Sequence, residues 1–425
     1  MMNQIYLKHK KLIDSFVQNF QFRIFGIALS FLIVLLINRF FGVATFGEYS
    51  LIFTISQACT LFVTFGIPNT LIKIIGNGNY NYLAAKKLLL KGCKITLLFA
   101  LIPMLVFYFG AHFLSFSIFK NTNLYLYFLV ISLSIPLLVI HEIFVYFFIA
   151  TKNFFRFNMF MFIVPNILFV VFLFLFHVLK KGDYYTFLSF SLAILLTVIA
   201  EIVLVFEWKP KETVEVQSTK ELLRTASPLF LSGFLMYLLN WTSIIVLGLI
   251  VDEKQLGIYN IAFKIANLGM LIIVSISTII TPKIAQQYGE NNFTELKKTI
   301  QNATRLIAIL TIPVVVLVVI FNQMILSFFS NEAIVGGNAL IIMILGVLIN
   351  AMAGNGDQIL NMTNNQNILR NITLVCFLAN VVMCVILIHF FGILGAAFAS
   401  LFTNLLLNIL CVYYIKKKLG FYTLL

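Results

Sequence analysis

The chain has 425 residues, of which 61% are apolar and only 10% charged, against roughly half and about a quarter in a soluble domain. So few charges cannot cover a water-facing surface, which excludes a soluble enzyme or binding module, and 46 phenylalanines suit a lipid-facing one. The formal net charge of +14 would fit a nucleic-acid binder if it were gathered in one patch, but it is scattered over short joints between apolar blocks.

A helix needs about 20 apolar residues to cross the hydrocarbon core. Blocks of that size fall near 15–38, 46–69, 95–114, 124–149, 157–179, 184–206, 227–250, 257–281, 304–322, 338–360, 371–391 and 393–415. Unpaired backbone amides are too costly in lipid, so these blocks are predicted to be helices. The fold class is therefore an all-α polytopic membrane protein of about twelve transmembrane helices. With the N-terminus in the cytoplasm, 22 of the 29 Lys and Arg fall on inside joints. Five lie outside (Arg39, Lys120, Lys180, Lys181, Lys254) and two within spans (Arg23, Lys264). This bias is the positive-inside rule and places both termini in the cytoplasm.

In chain order, the first span carries Gln18, Gln21 and Arg23, a poor face for lipid and a good wall for a wet cavity. The second opens on Phe46-Gly-Glu-Tyr49 and continues to Thr54 and Gln57. The fourth holds Glu142 beside His141, and the sixth holds Glu201. An ionisable group at that depth costs about 2.5–3.5 kcal/mol on insertion scales and calls for a partner or a function. The longest polar joint, 207–226, sits at mid-chain, and Ser218-Thr-Lys-Glu221 reads as a capping box for the helix that follows. Asn292-Phe-Thr-Glu295 reads as a second cap, and short cytoplasmic helices are expected in both joints.

In the second half, Asn240, Trp241, Thr242 and Ser243 interrupt the seventh span. The eighth opens on Leu256-Gly-Ile-Tyr259, matching the second at an offset of 210 residues. Asn260, Lys264 and Asn267 follow at spacings of four and three, so they share one helix face. Thr54 is the counterpart of Lys264, flanked by Ser50 and Gln57. The chain thus divides into an N-terminal lobe (1–206), a linker (207–226) and a C-terminal lobe (227–425), six helices each, as a parallel repeat. Transporters so built carry substrate between their halves. Gly354-Asn-Gly-Asp-Gln358 predicts a break in the tenth helix, placing Asp357, with Glu142, as a candidate for ion coupling. The cysteines form no C-x-x-C pair, and no nucleotide-binding, serine-hydrolase or zinc-protease motif occurs; neither catalysis, cofactor nor metal is expected.

Four stretches carry a family resemblance: Asn38 through Glu48-Tyr49, Phe65-Gly-Ile-Pro68, Gly257-Ile-Tyr259 running to Pro282-Lys283, and Phe391 through Gly395-Ala-Ala to Ser400. In these the chain resembles the lipid-linked oligosaccharide (O-antigen or polysaccharide repeat-unit) flippases of the multidrug/oligosaccharidyl-lipid/polysaccharide exporter superfamily. The resemblance implies two pseudo-symmetric six-helix lobes around a cavity lined by the first, second, seventh and eighth spans. It further implies a polyprenyl-pyrophosphate oligosaccharide moved by alternating access across a bacterial cytoplasmic membrane. The cavity side chains would be Gln18, Gln21, Arg23, Thr54, Gln57, Asn240, Asn260, Lys264 and Asn267, the two cations meeting the anionic head. Expected partners are the lipid-linked substrate and membrane lipid, with a glycan polymerase and other assembly proteins alongside a monomeric flippase. The rivals are a cation-coupled drug antiporter of the same superfamily, a membrane-integral glycan polymerase or glycosyltransferase, and a lipid-scrambling or structural subunit.

Overall fold

A computed structural model describes residues 2–76, 82–205 and 218–423; the side chains of residues up to 20, Gln18 among them, and of seven later positions lie outside the described residues. Among the described residues there is no strand. Twelve helices are long and apolar enough to cross a bilayer: α1 (Gln21–Phe40), α2 (Val43–Thr64), α3 (Tyr82–Ile118), α4 (Leu124–Ala150), α5 (Phe154–Val178), α6 (Tyr185–Val205), α7 (Gly233–Ile250), α8 (Glu253–Gly289), α9 (Phe293–Ile320), α10 (Asn331–Met362), α11 (Gln366–Phe391) and α12 (Ile393–Leu419). The protein is a multi-pass helical membrane protein.

Several spans outrun their apolar blocks. α3 begins at Tyr82 rather than near 95, and α8 continues to Gly289, so the joint before α9 is a turn rather than separate short helices. Polar residues do not stop a helix; they only move it out of hydrocarbon. Both expected caps form. Ser218 Oγ accepts from the Glu221 amide at 3.3 Å while Glu221 Oε2 accepts from the Ser218 amide at 3.0 Å, a reciprocal capping box. Asn292 Oδ1 accepts from the Glu295 amide at 3.2 Å and starts α9.

The chain separates into two compact units, Met1–Phe234 and Leu235–Leu425. The division falls inside the helix Thr219–Ile250, beyond the 207–226 joint. The reason is packing: the early turns of that helix belong to the first unit. Phe230 stacks on Phe65 at 4.8 Å and meets Phe62 at 5.7 Å. A Cβ on Gly66 would lie 2.6 Å from the Ala226 carbonyl oxygen. Gly66 also takes a φ of +73°, so only glycine suits this junction.

In the first unit α4 is the central helix, packed on α2, α3 and α6, while α5 packs on α6 and α1. Its core stripe, Phe128, Ile131, Ile135 and Val139, is fully buried. In the second unit α10 is central, packed on α8, α9 and α12, and α11 packs on α12. Adding six to each helix number carries the pairings of α4 with α2, α3 and α6, and of α5 with α6, onto the second unit, so the two lobes repeat one internal plan. Each unit shows lipid-facing stripes: α3 exposes Ile102, Val106, Phe109 and Phe113, at spacings of four, three and four. That is one helix side.

Glu48, which opens the motif of α2, is buried and accepts from the side-chain amides of Asn121 and Asn123, each at 3.1 Å. It ties α2 to the loop before α4. Glu48→Ala should strand both amides and lower stability by about 1–3 kcal/mol, read as a fall in the melting temperature of the detergent-solubilised protein. Glu48→Gln, which keeps an acceptor, should lose less.

An amide-lined cavity in the second unit

α8 and α10 are both irregular within their spans. The helical ladder of α8 changes to a 3-10 turn over Asn267–Gly269, and a Cβ on Gly269 would approach Val347 Cγ1 to 2.9 Å. α10 breaks at Gly354 and Asn355, which take φ values of +78° and +57° before the helix resumes at Gly356. Mid-helix 3-10 turns and broken spans are devices that open the backbone toward a cavity.

Between these two irregularities lies a cavity of about 520 Å³. It is lined from α7, α8, α10, α11 and α12, and seven of its side chains are asparagines: Asn240, Asn267, Asn350, Asn355, Asn380, Asn404 and Asn408. Ser277, Thr281, Ser400, Thr403 and Gln358 add further polar groups, and Asp357 is its one charged residue; apolar walls come from Met270, Phe263 and Leu407 among others. A void of this size is within the range of small-molecule sites. Isolated amides in hydrocarbon are costly, so seven of them converging on one void is a built feature rather than leftover polarity.

The amides are held in place by the protein. Asn240 Nδ2 donates to the Met236 carbonyl at 2.7 Å, Asn408 Nδ2 to Asn404 at 2.8 Å, and Asn380 Nδ2 crosses to the Leu239 carbonyl of α7 at 3.0 Å. Asn355 donates to the Ser277 hydroxyl, linking the broken segment of α10 to α8. Asn350 Nδ2 reaches Met270 Sδ at 3.5 Å. Beside Asn240, Trp241 stacks on Tyr237 and meets the lining ring of Phe263 at 5.5 Å.

Of the candidate residues named from sequence, Asn240, Asn267 and Asp357 line this cavity. Asn260 is buried on α8 and donates to the Leu256 carbonyl at 2.9 Å. Lys264 is half-buried on the same helix and is not a lining residue. In the first unit, Gln21 and Arg23 are exposed and Gln57 is half-buried. Thr54 is buried, its hydroxyl donating to the Ser50 carbonyl at 2.8 Å. Gln18 lies outside the described side chains. Glu142 is half-buried, whereas its neighbour His141 turns to Glu201 of α6, Nδ1 to Oε1 at 3.0 Å. Glu201 is fully buried and its second oxygen has no hydrogen-bond partner. This pair links α4 to α6 inside the first unit. Among the described residues no cluster of metal-ligand type occurs.

Residues 19–288 match the model of a family described as polysaccharide biosynthesis protein. The chain belongs to this family. A second model, MatE, matches residues 228–386 of the same family member. Among curated relatives, "Probable low-salt glycan biosynthesis flippase Agl15" of Haloferax volcanii is 22% identical over 182 residues. That match covers 43% of this chain and 39% of the relative. "Probable flippase AglR" of the same organism is 26% identical over 181 residues, 42% of this chain and 38% of the relative. The chain thus spans under half the length of the curated relatives it matches. Several solved structures share its fold, two of them at a TM-score of 0.79. An inward-facing multidrug resistance MATE family transporter of the MOP superfamily aligns with a TM-score of 0.79 at 14% identity, covering 93% of this chain and 94% of the other. The lipid II flippase MurJ, in an inward closed conformation, aligns with a TM-score of 0.79 at 16% identity, covering 94% and 87%. This polysaccharide biosynthesis family member therefore has the fold of the MOP superfamily transporters.

Proposed function

We propose that the protein flips polyprenyl-pyrophosphate-linked oligosaccharide repeat units from the cytoplasmic to the outer leaflet during surface polysaccharide or O-antigen assembly. The observation that carries this reading is the amide-lined cavity set between two helix irregularities. Each bare hydroxyl moved into hydrocarbon costs roughly 2–7 kcal/mol, so a glycan needs polar side chains along its whole route, and the cavity supplies them at mid-span. The family and the glycan flippases among its relatives agree with this chemistry. The setting is a bacterial cytoplasmic membrane with both termini in the cytoplasm, the chain working as a monomer beside a polymerase, by alternating access.

In this reading the pyrophosphate meets Lys264, three residues from Asn267 on α8, and Arg23 of α1 meets it on another part of the route. The polar side chains Gln18, Gln21, Thr54, Gln57 and Asn260 serve the same route. A charge-assisted hydrogen bond contributes about 1.5–3 kcal/mol. Lys264→Ala and Arg23→Ala should therefore each lower surface glycan about tenfold in a flippase-null strain complemented with this gene, at unchanged protein level. Full restoration by the double variant would remove both residues from the route. Failure of the wild-type gene to restore glycan, across hosts of differing repeat unit, would remove the flippase reading itself.

A cation-coupled small-molecule antiporter is the second reading, and the His141–Glu201 pair is the observation that favours it. An antiporter protects cells from cationic dyes and loses that protection in Glu201→Gln. A flippase leaves dye sensitivity unchanged. Glu142 and Asp357 are the further positions at which coupling to an ion gradient is tested in the same way.

A further inference from the structure

The hydrogen-bonding groups and the charge that line the cavity select a ligand. A carboxamide offers two N–H donors and an oxygen with two acceptor sites, and a hydroxyl offers one donor and two acceptor sites. Five of the seven lining asparagines engage an N–H with the protein itself: Asn240, Asn350, Asn355, Asn380 and Asn408. The hydroxyl protons of Thr281 and Thr403 go to the carbonyls of Ser277 and Ala399, at 2.6 and 2.8 Å. Their oxygens remain as acceptors. Among the described residues, Asn380 alone of the seven has its side-chain oxygen engaged, by Cys384 Sγ at 3.3 Å. The Asp357 carboxylate adds acceptors and a negative charge, and neither lysine nor arginine is among the lining residues.

Each of those five asparagines keeps its second N–H, so the lining offers donors and acceptors together, and it complements a ligand whose O–H groups can play both parts. A phosphate, or the carboxylate of a uronate, brings only acceptors and a like charge beside Asp357, with no lining cation to meet it. The volume of about 520 Å³ is far larger than a bare alkali cation needs and is within the range for an organic ligand. We infer that this cavity holds an uncharged, hydroxyl-bearing sugar of the transported glycan, with the linking phosphates kept outside it, and that Asp357 discriminates against acidic sugars. The inference rests on the flippase reading and narrows its substrate class.

Trp241, against the lining ring of Phe263, reports occupancy. The test uses the full chain in lipid nanodiscs, in a Trp208→Phe background so that Trp241 is the sole tryptophan. It is titrated with polyprenyl-phosphate-linked N-acetylglucosamine and separately with polyprenyl-phosphate-linked glucuronic acid. The neutral probe is expected to bind about tenfold more tightly, the size of effect one unfavourable like-charge contact produces. Asp357→Asn is expected to narrow the gap to about threefold or less. Equal binding, or preference for the acidic probe, in the wild-type chain overturns the inference, as does a gap that persists in a folded Asp357→Asn variant. A response to sodium chloride over choline chloride with none to either sugar also overturns it, and makes the cavity a cation site. Binding of neither probe removes the sugar from this cavity; restored surface glycan in the complemented strain then shows that the flippase reading stands without it.

Discussion

Gly354→Val is expected to destabilise the protein by about 3 kcal/mol or more and to abolish transport. Gly354 sits where α10 breaks, with a φ of +78°. A side chain in that region costs roughly 1–2 kcal/mol from contact of its Cβ with the backbone. The Cβ would also overlap the Thr304 hydroxyl of α9, which donates to the Ile300 carbonyl at 2.9 Å. Forcing atoms into a filled site costs about 1–3 kcal/mol more. The two effects separate in a pair of variants. Gly354→Asn accepts the left-handed backbone but keeps the overlap. Gly354→Asn with Thr304→Ala removes the hydroxyl and methyl overlap and leaves one tight contact of 3.0 Å to the Cβ of residue 304, and should recover most of the melting temperature. A valine variant that melts with the wild type would mean that α10 does not turn at this residue. Transport should fall with the turn, because Asn355 and Asp357 enter the cavity from it.

The second large effect is in the first unit. His141→Leu removes the one hydrogen-bond partner that the buried Glu201 has among the described residues. Breaking a buried pair from one side typically costs 3–5 kcal/mol, because the remaining group keeps its desolvation without its compensation. Glu201→Gln keeps an acceptor for His141 and should cost only about 1 kcal/mol. His141→Leu with Glu201→Leu removes both polar groups together and should be much milder than His141→Leu alone. With Glu201→Leu alone as the remaining corner, melting of the wild type, the two single leucine variants and the double variant closes a double-mutant cycle. Strict additivity would show that the two side chains do not act as a pair.

These expectations depend on features that the sequence revealed unevenly. The twelve spans were legible because hydrocarbon demands long apolar runs, and the caps at Ser218 and Asn292 because their donors and acceptors lie within one turn. Helix ends were less legible: the lysine-bearing start of α3 and the tail of α8 are polar, yet remain helical outside the apolar layer. Packing of Phe62 and Phe65 on Phe230 groups the early turns of the helix after the 207–226 joint with the first unit, a contact that the polarity of the joint does not signal.

The cavity was only partly legible. Asn240, Asn267 and Asp357 stood out from neighbouring polar residues or a glycine-rich break. Asn350, Asn380, Asn404 and Asn408 each sit alone in an apolar run, where a single amide suits helix–helix contact as well as a site. Only their convergence from α10, α11 and α12 distinguishes the two. The spacing of four between Asn404 and Asn408 on α12 was the one local pattern available. His141 and Glu142 drew notice as neighbours, but adjacent residues on a helix point about 100° apart, and His141 finds its partner on α6 instead.

The central claim, movement of a lipid-linked glycan between leaflets, is tested most directly in proteoliposomes of the purified protein. A polyprenyl-pyrophosphate oligosaccharide is placed in both leaflets, and an impermeant glycosidase is added outside. The account predicts that cleavage passes beyond the outer-leaflet share and approaches the whole pool, and that Gly354→Val halts it at the outer share. Cleavage that stops at the outer share with the folded wild-type protein, as in protein-free vesicles, would contradict it.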